Sequence, residues 1–148
     1  MLFNPNIPPS QLAVVAGVIN PQSATTVQTS TWVDMSVYGA IEAVVLTGAI
    51  TATGTVDAKL QQATDNAGTS AKDITGKAIT QLVAATDGDE QSVINCRADE
   101  LDTANAFGFV ALLITPATAA ALIAGLIIGT DADYLPPTPL ATMEEVIY

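Results

Sequence analysis

Apolar and polar residues alternate with a period of two along much of this chain, which predicts strands rather than helices. The cleanest case is residues 55–63, where Val56, Ala58 and Leu60 alternate with Asp57, Lys59 and Gln61. Residues 38–50 repeat the pattern, with Ile41, Ala43 and Val45 set against Glu42, Val44 and Leu46. Residues 25–34 place Val27, Thr29, Thr31 and Val33 on one face, and residues 91–98 set Val93 and Asn95 opposite Ile94 and Cys96. Residues 12–19 form an apolar run that Asn20-Pro21 should end in a turn. Residues 72–85 carry Ile74, Ile79, Leu82 and Val83 but are interrupted at Thr75-Gly76, predicting a short strand and a second piece. Asp65-Asn66-Ala67-Gly68 reads as a turn. So does Asp87-Gly88-Asp89, whose glycine supplies the positive φ of a tight hairpin.

Residues 103–130 contain no charged side chain. As one helix, residues 107–129 would be long enough to cross a bilayer, which takes about 20 apolar residues. Pro116, Gly108, Gly125 and Gly129 oppose that reading. So do the acidic flanks Asp99, Glu100, Asp102, Asp131 and Asp133, where basic residues would set a topology. The stretch is better read as two buried strands divided at Thr115-Pro116-Ala117-Thr118, with alanine-rich residues 117–124 left as strand or short helix. Leu122, Ile123, Leu126 and Ile128 exceed what one small sandwich can cover, which points to an apolar patch for a sister subunit.

The expected fold is all-β: an antiparallel β-sandwich or jelly-roll-like barrel over residues 12–133. Extended, proline-rich arms flank it at residues 1–11 and 134–148. Pro5, Pro8 and Pro9 on one side, and Pro136, Pro137 and Pro139 on the other, lack amide donors and fix φ. The arms carry apolar anchors: Leu2, Phe3 and Ile7, then Leu140, Met143, Val146, Ile147 and Tyr148. Disordered tails are poor in such side chains, so these eight residues are the candidate interface with a neighbouring subunit.

Composition narrows the function. Four Lys plus Arg against fifteen Asp plus Glu give a net charge of -11, which disfavours nucleic acid and anionic membranes as partners. The chain has no His, the commonest general base and metal ligand. Its single Cys96 has no thiol partner and no histidine to activate it. Asp87, Asp89 and Glu90 faintly suggest a calcium loop, but the twelfth position is Ala98 rather than a bidentate Glu. Asp99, Glu100 and Asp102 read as a solvated corner, and no glycine cluster has phosphate-binding spacing. No catalytic residue, metal site or cofactor is expected, and the start Met1-Leu2-Phe3-Asn4-Pro5 lacks signal-peptide character.

Thr55-Val56-Asp57-Ala58-Lys59-Leu60-Gln61-Gln62-Ala63, Asp73-Ile74-Thr75-Gly76-Lys77-Ala78-Ile79-Thr80-Gln81-Leu82 and Gly129-Thr130-Asp131-Ala132-Asp133-Tyr134 resemble small virion structural proteins of tailed bacteriophages. The resemblance covers the middle third closely and the rest loosely. It implies a β-sandwich cement or decoration protein, non-enzymatic, often trimeric, that binds the major capsid protein. It implies localisation to the virion capsid after synthesis in the host cytoplasm. A head-tail connector or tail component is the first alternative, and a jelly-roll carbohydrate-binding module or enzyme is the further one.

Overall fold

A computed structural model describes residues 7–147, and every element in it longer than a single turn is a strand. In chain order these are β1 (Ala13–Ala24), β2 (Gln28–Thr29), β3 (Val33–Asp34), β4 (Tyr38–Ile50) and β5 (Thr55–Ala63), then β6 (Lys72–Ala78), β7 (Leu82–Val83), β8 (Gln91–Arg97), β9 (Phe109–Ala117) and β10 (Ala121–Ala132). Three 3-10 turns, Pro9–Gln11, Ala98–Glu100 and Thr103–Asn105, complete the inventory.

The strands form two antiparallel sheets. One has the order β1-β10-β4-β8. In the other, β9 and β5 lie side by side at the centre, with β2 and β3 along the free side of β9 and β6 and β7 along the free side of β5. β2 and β3 pair successive stretches of β9, at Gln28↔Ile114 and Val33↔Val110, and so act as one interrupted strand. β6 and β7 do the same along β5. Counted this way, eight strands make two four-stranded layers in the order 1-8-3-6 and 2-7-4-5. That is jelly-roll topology, two Greek keys folded face to face.

Alternation builds the core as expected. Ile41, Ala43 and Val45 of β4 and Val56, Ala58 and Leu60 of β5 are buried, with Val110, Leu112 and Ile114 of β9 and Ile123 and Ile127 of β10 between them. Gly125 of β10 faces inward too. A Cβ there would lie 2.8 Å from Leu112 Cδ2 and 3.2 Å from Ile114 Cδ1, so its missing side chain lets the sheets approach.

Several boundaries differ from the sequence reading, mostly at prolines and glycines. β1 does not stop at Asn20-Pro21; it bulges between Ile19 and Gln22 and continues to Ala24. β1 is an edge strand, where proline costs no ladder bond. Pro116 likewise lies inside β9, paired with Val56. Leu112 directs both its N–H and its C=O at Ser30, so at a period of two Pro116 faces the same side. There it falls beyond Gln28, where β2 has ended. The division of the uncharged stretch therefore comes after β9, at residues 118–120, with Thr118 at φ 68°. The alanine-rich part is hairpin and strand, with no helix.

Residues 25–34 are not one alternating strand. Ser30 breaks it by turning inward, its Oγ accepting from Leu112 N–H (3.0 Å). Val33 is consequently buried while Val27 is exposed. β6 continues through Gly76 (φ 77°) and ends after Ala78, but its ladder to β5 is irregular at the expected interruption: Asp73 pairs with Gln61 and Ala78 with Lys59, leaving residues 74–77 as a bulge. At 87–89 the positive φ belongs to Asp89 (61°) rather than to Gly88.

Candidate interaction surfaces

Cys96, Asp87 and the acidic corner Asp99, Glu100 and Asp102 are engaged structurally. Among the described residues no three His, Cys, Asp or Glu side chains group to hold a metal ion. Cys96 is buried, and desolvation pushes its thiol up to about 11, the wrong direction for a nucleophile. At the acidic corner Arg97 pairs with Asp99 (2.8 Å), Lys77 with Glu100 (2.9 Å) and Lys72 with Asp102. Glu100 also accepts from the Arg97 backbone N–H (2.8 Å). The hydrogen bond from Lys77 holds Glu100 below its ordinary pKa, and that from Lys72 does the same for Asp102. A general acid needs the opposite shift. At the other end of the sandwich Asp87 accepts from Val83 N–H and the Thr86 hydroxyl, both at 2.8 Å, and so closes its own loop.

These depressed carboxylates set the pH dependence. Glu100, Asp102, Asp73, Asp65 and Asp87 all sit below their ordinary values of 4.5 for Glu and 3.8 for Asp, chiefly through hydrogen bonds to the ionised form. Stability from a depressed acid is complete above the unfolded-state pKa and is lost as pH falls through the folded-state one. Thermal midpoints should therefore be flat between about pH 8 and pH 5, with no His to titrate there, and should fall below about pH 4.5. A midpoint that rises on acidification would contradict this assignment.

The two outer sheet faces differ in character. The second sheet presents Asp57, Lys59 and Gln61, knitted to neighbours by Lys59–Asp73 (2.8 Å), Gln61 to Asp73 (2.7 Å) and Gln81 to Asp57 (2.8 Å). The first sheet presents aliphatic residues. Val18, Leu126, Val44 and Val93 lie in register as one row across its four strands. Ile128 on one side and Ala124, Leu46 and Leu122 on the other extend the patch. Val93 is 51% exposed, Leu122 49% and Leu46 39%. Beside Leu122, the β1 bulge and the bare Gly48 leave a shallow depression of about 380 Å³. Of the four β10 residues expected in a surplus patch, Leu122, Leu126 and Ile128 do point outward. Ile123 does not: it is buried in the core, because a period of two puts it on the face opposite Leu122. The contributions of Val18, Val44, Leu46 and Val93 were missed, although outward Val44 and Leu46 already mark β4 as apolar on both faces.

The C-terminal candidates lie along the body near β1. Leu140 is half-buried beside Trp32 and Tyr38, and Trp32 in turn packs on Gly68, whose φ is 80°. Met143 and Val146 line a groove of about 390 Å³ with Ala13, Val15 and Pro137. Ile147 is 79% exposed, and Tyr134 and Leu135 are exposed as well. Among the described residues, 134–147 form one backbone hydrogen bond, from Met143 N–H to Leu140 C=O (2.8 Å), and no side-chain hydrogen bond to the sandwich. Ile7 is half-buried. Leu2, Phe3 and Tyr148 lie outside the described residues.

No protein-family model matches this chain, and no curated protein matches its sequence. Solved structures give remote likenesses. A chain of broad bean stain virus aligns with TM-score 0.42 and 15% identity, over 81% of this chain and 66% of that one. A chain of the cowpea mosaic virus empty virus-like particle aligns with TM-score 0.41 and 12% identity, over 91% and 89%. A chain of infectious bursal disease virus, Gt strain, aligns with TM-score 0.42 and 9% identity, over 84% and 32%. At these values the likenesses carry no functional weight; the fold rests on the strand order itself.

Proposed function

We propose that this chain is a virion structural protein that fastens to an assembled head shell as a cement or decoration protein, with the major capsid protein as its partner. The observation that carries the reading is the C-terminal segment. It displays Tyr134, Leu135, Met143 and Ile147 to solvent, and among the described residues it makes no hydrogen bond to its own body, along which Met143 and Val146 line an apolar groove. Such a segment can re-seat on a neighbouring surface without breaking a hydrogen bond to the sandwich. The phage-like sequence stretches in β5 and β6 support the same reading.

Cement acts by linkage: a protein that binds only the assembled shell stabilises it by its binding free energy, about 2.7 kcal/mol per site at a hundredfold excess over Kd. Self-association, as the trimer the resemblance implies or another closed symmetry, would multiply weak contacts by avidity. The arms enlarge the contact at an entropic cost. The acidic exterior keeps free subunits soluble and away from packaged genome.

Deleting residues 140–148 should leave the β-type circular dichroism intact and cut retention on purified shells by at least about tenfold, since several aliphatic side chains that the shell would bury are lost. Equal retention would overturn the fastening role. Copy number in virions separates cement, present in hundreds, from a connector or tail component confined to one vertex.

A further inference from the structure

We infer that the outer face of the β1-β10-β4-β8 sheet pairs with the same face of a second copy, sheet on sheet about a two-fold axis. Charge selects the occupant. The chain carries fifteen acids and a net charge of -11, so two copies repel over most approaches. This face is the exception. The only charged residues in its four strands are Glu42, Arg97 and Asp131, of mixed sign. They gather at one end, where Ala40 pairs with both Arg97 and Thr130 and Glu42 pairs with Ile128. The rest of the face is the Val18–Leu126–Val44–Val93 row with Ala124, Leu46 and Leu122 beyond it, edged by polar Gln91 and Asn95 of β8 and, past the strand ends beside Gly48, by Asp89.

Area is consistent with such a pair. Four strands about 4.8 Å apart, taken over some eight residues at about 3.3 Å each, cover roughly 500–600 Å². Two copies would bury about 1,000–1,200 Å², the lower threshold of a specific contact. Sheets stack naturally at about 10 Å through interdigitated aliphatic side chains. The depression of about 380 Å³ beside Leu122 gives the otherwise even surface a place to receive a partner's side chain. The opposite face has no comparable stretch, because its lysines and aspartates pair with one another. A contact that uses one patch on both subunits is isologous and closes as a dimer.

The proposal takes from the shell reading only that the chain works in several copies, and it is tested on the purified full chain without shells. Sedimentation equilibrium between about 1 and 100 µM should show a monomer–dimer equilibrium. Val93→Lys combined with Leu122→Asp should weaken it at least about a hundredfold while the circular dichroism stays β-type. The milder Val93→Thr should weaken it in the same direction and guards against a fold defect. Thr29→Asp, on the second sheet, should leave it unchanged. A monomer throughout the range, a trimer, or a dimer insensitive to the Val93 and Leu122 changes would each overturn the pairing. None of these outcomes bears on whether residues 140–148 fasten the chain to a shell.

Discussion

Gly125→Val should cost on the order of 3 kcal/mol or more, which for a chain of this size lowers the melting temperature by about 6–12 °C. Gly125 sits on the inward face of β10, between Ile19 on β1 and Val45 on β4. The tips of Leu112 and Ile114 reach across from the second sheet to within 2.8 and 3.2 Å of where a Cβ would stand. Both side chains are fully buried, so neither has free space into which to retreat. A branched side chain here must push the sheets apart or force Leu112 off its rotamer. Gly108→Ala is the matched control: nothing lies within 4 Å of the new Cβ, and the change should fall within about 0.5 kcal/mol. Thermal denaturation of the two variants side by side checks both expectations. Equal midpoints would mean that the sheets have slack at Gly125.

The central strands were legible because one physical constraint controls them. β4 and β5 each bury one face completely, and a slip of one residue would turn every core side chain to solvent. The alternation of residues 38–50 and 55–63 therefore marks both the strands and their inward faces. The edges were not legible, for an equally physical reason. Proline and glycine signal turns only where a ladder bond would be lost, and at an edge strand or past the end of a neighbour none is lost. Asn20-Pro21 and Pro116 both lie in such places, so two apparent stops are a bulge and a strand interior. Ser30 hid a third departure, because its hydroxyl supplies the acceptor that a regular strand would take from backbone.

The candidate surface was half legible. A run such as residues 121–132, apolar at both parities, must either be covered on both faces or leave one face for a partner. Applying the two-residue period within that run separates outward Leu122, Leu126 and Ile128 from inward Ile123. What no single segment could disclose is that Val18, Val44 and Val93, far apart in sequence, fall into register with Leu126. The row exists only because β10 inserts between β1 and β4, a consequence of jelly-roll connectivity rather than of local pattern.

Leu112→Ala should destabilise the protein by about 2–5 kcal/mol, the range for emptying a well-packed aliphatic site. Leu112 is fully buried on a central strand, where it lies opposite Leu60 of β5 and has both its N–H and its C=O held by Ser30. Neighbours can therefore collapse only partly into the space it vacates. The same residue tests the close approach at Gly125 from the other side. Gly125→Ala alone should cost about 1–3 kcal/mol, because its new methyl group meets Leu112 Cδ2. Joined to Leu112→Ala, that methyl group points into the cavity, so the double variant should be more stable than the sum of the single effects predicts by roughly 1 kcal/mol or more. Chemical denaturation of the four proteins gives the coupling energy directly. Strict additivity would show that Leu112 and Gly125 do not share the space between the sheets, and the account of how the two layers meet would have to be redrawn.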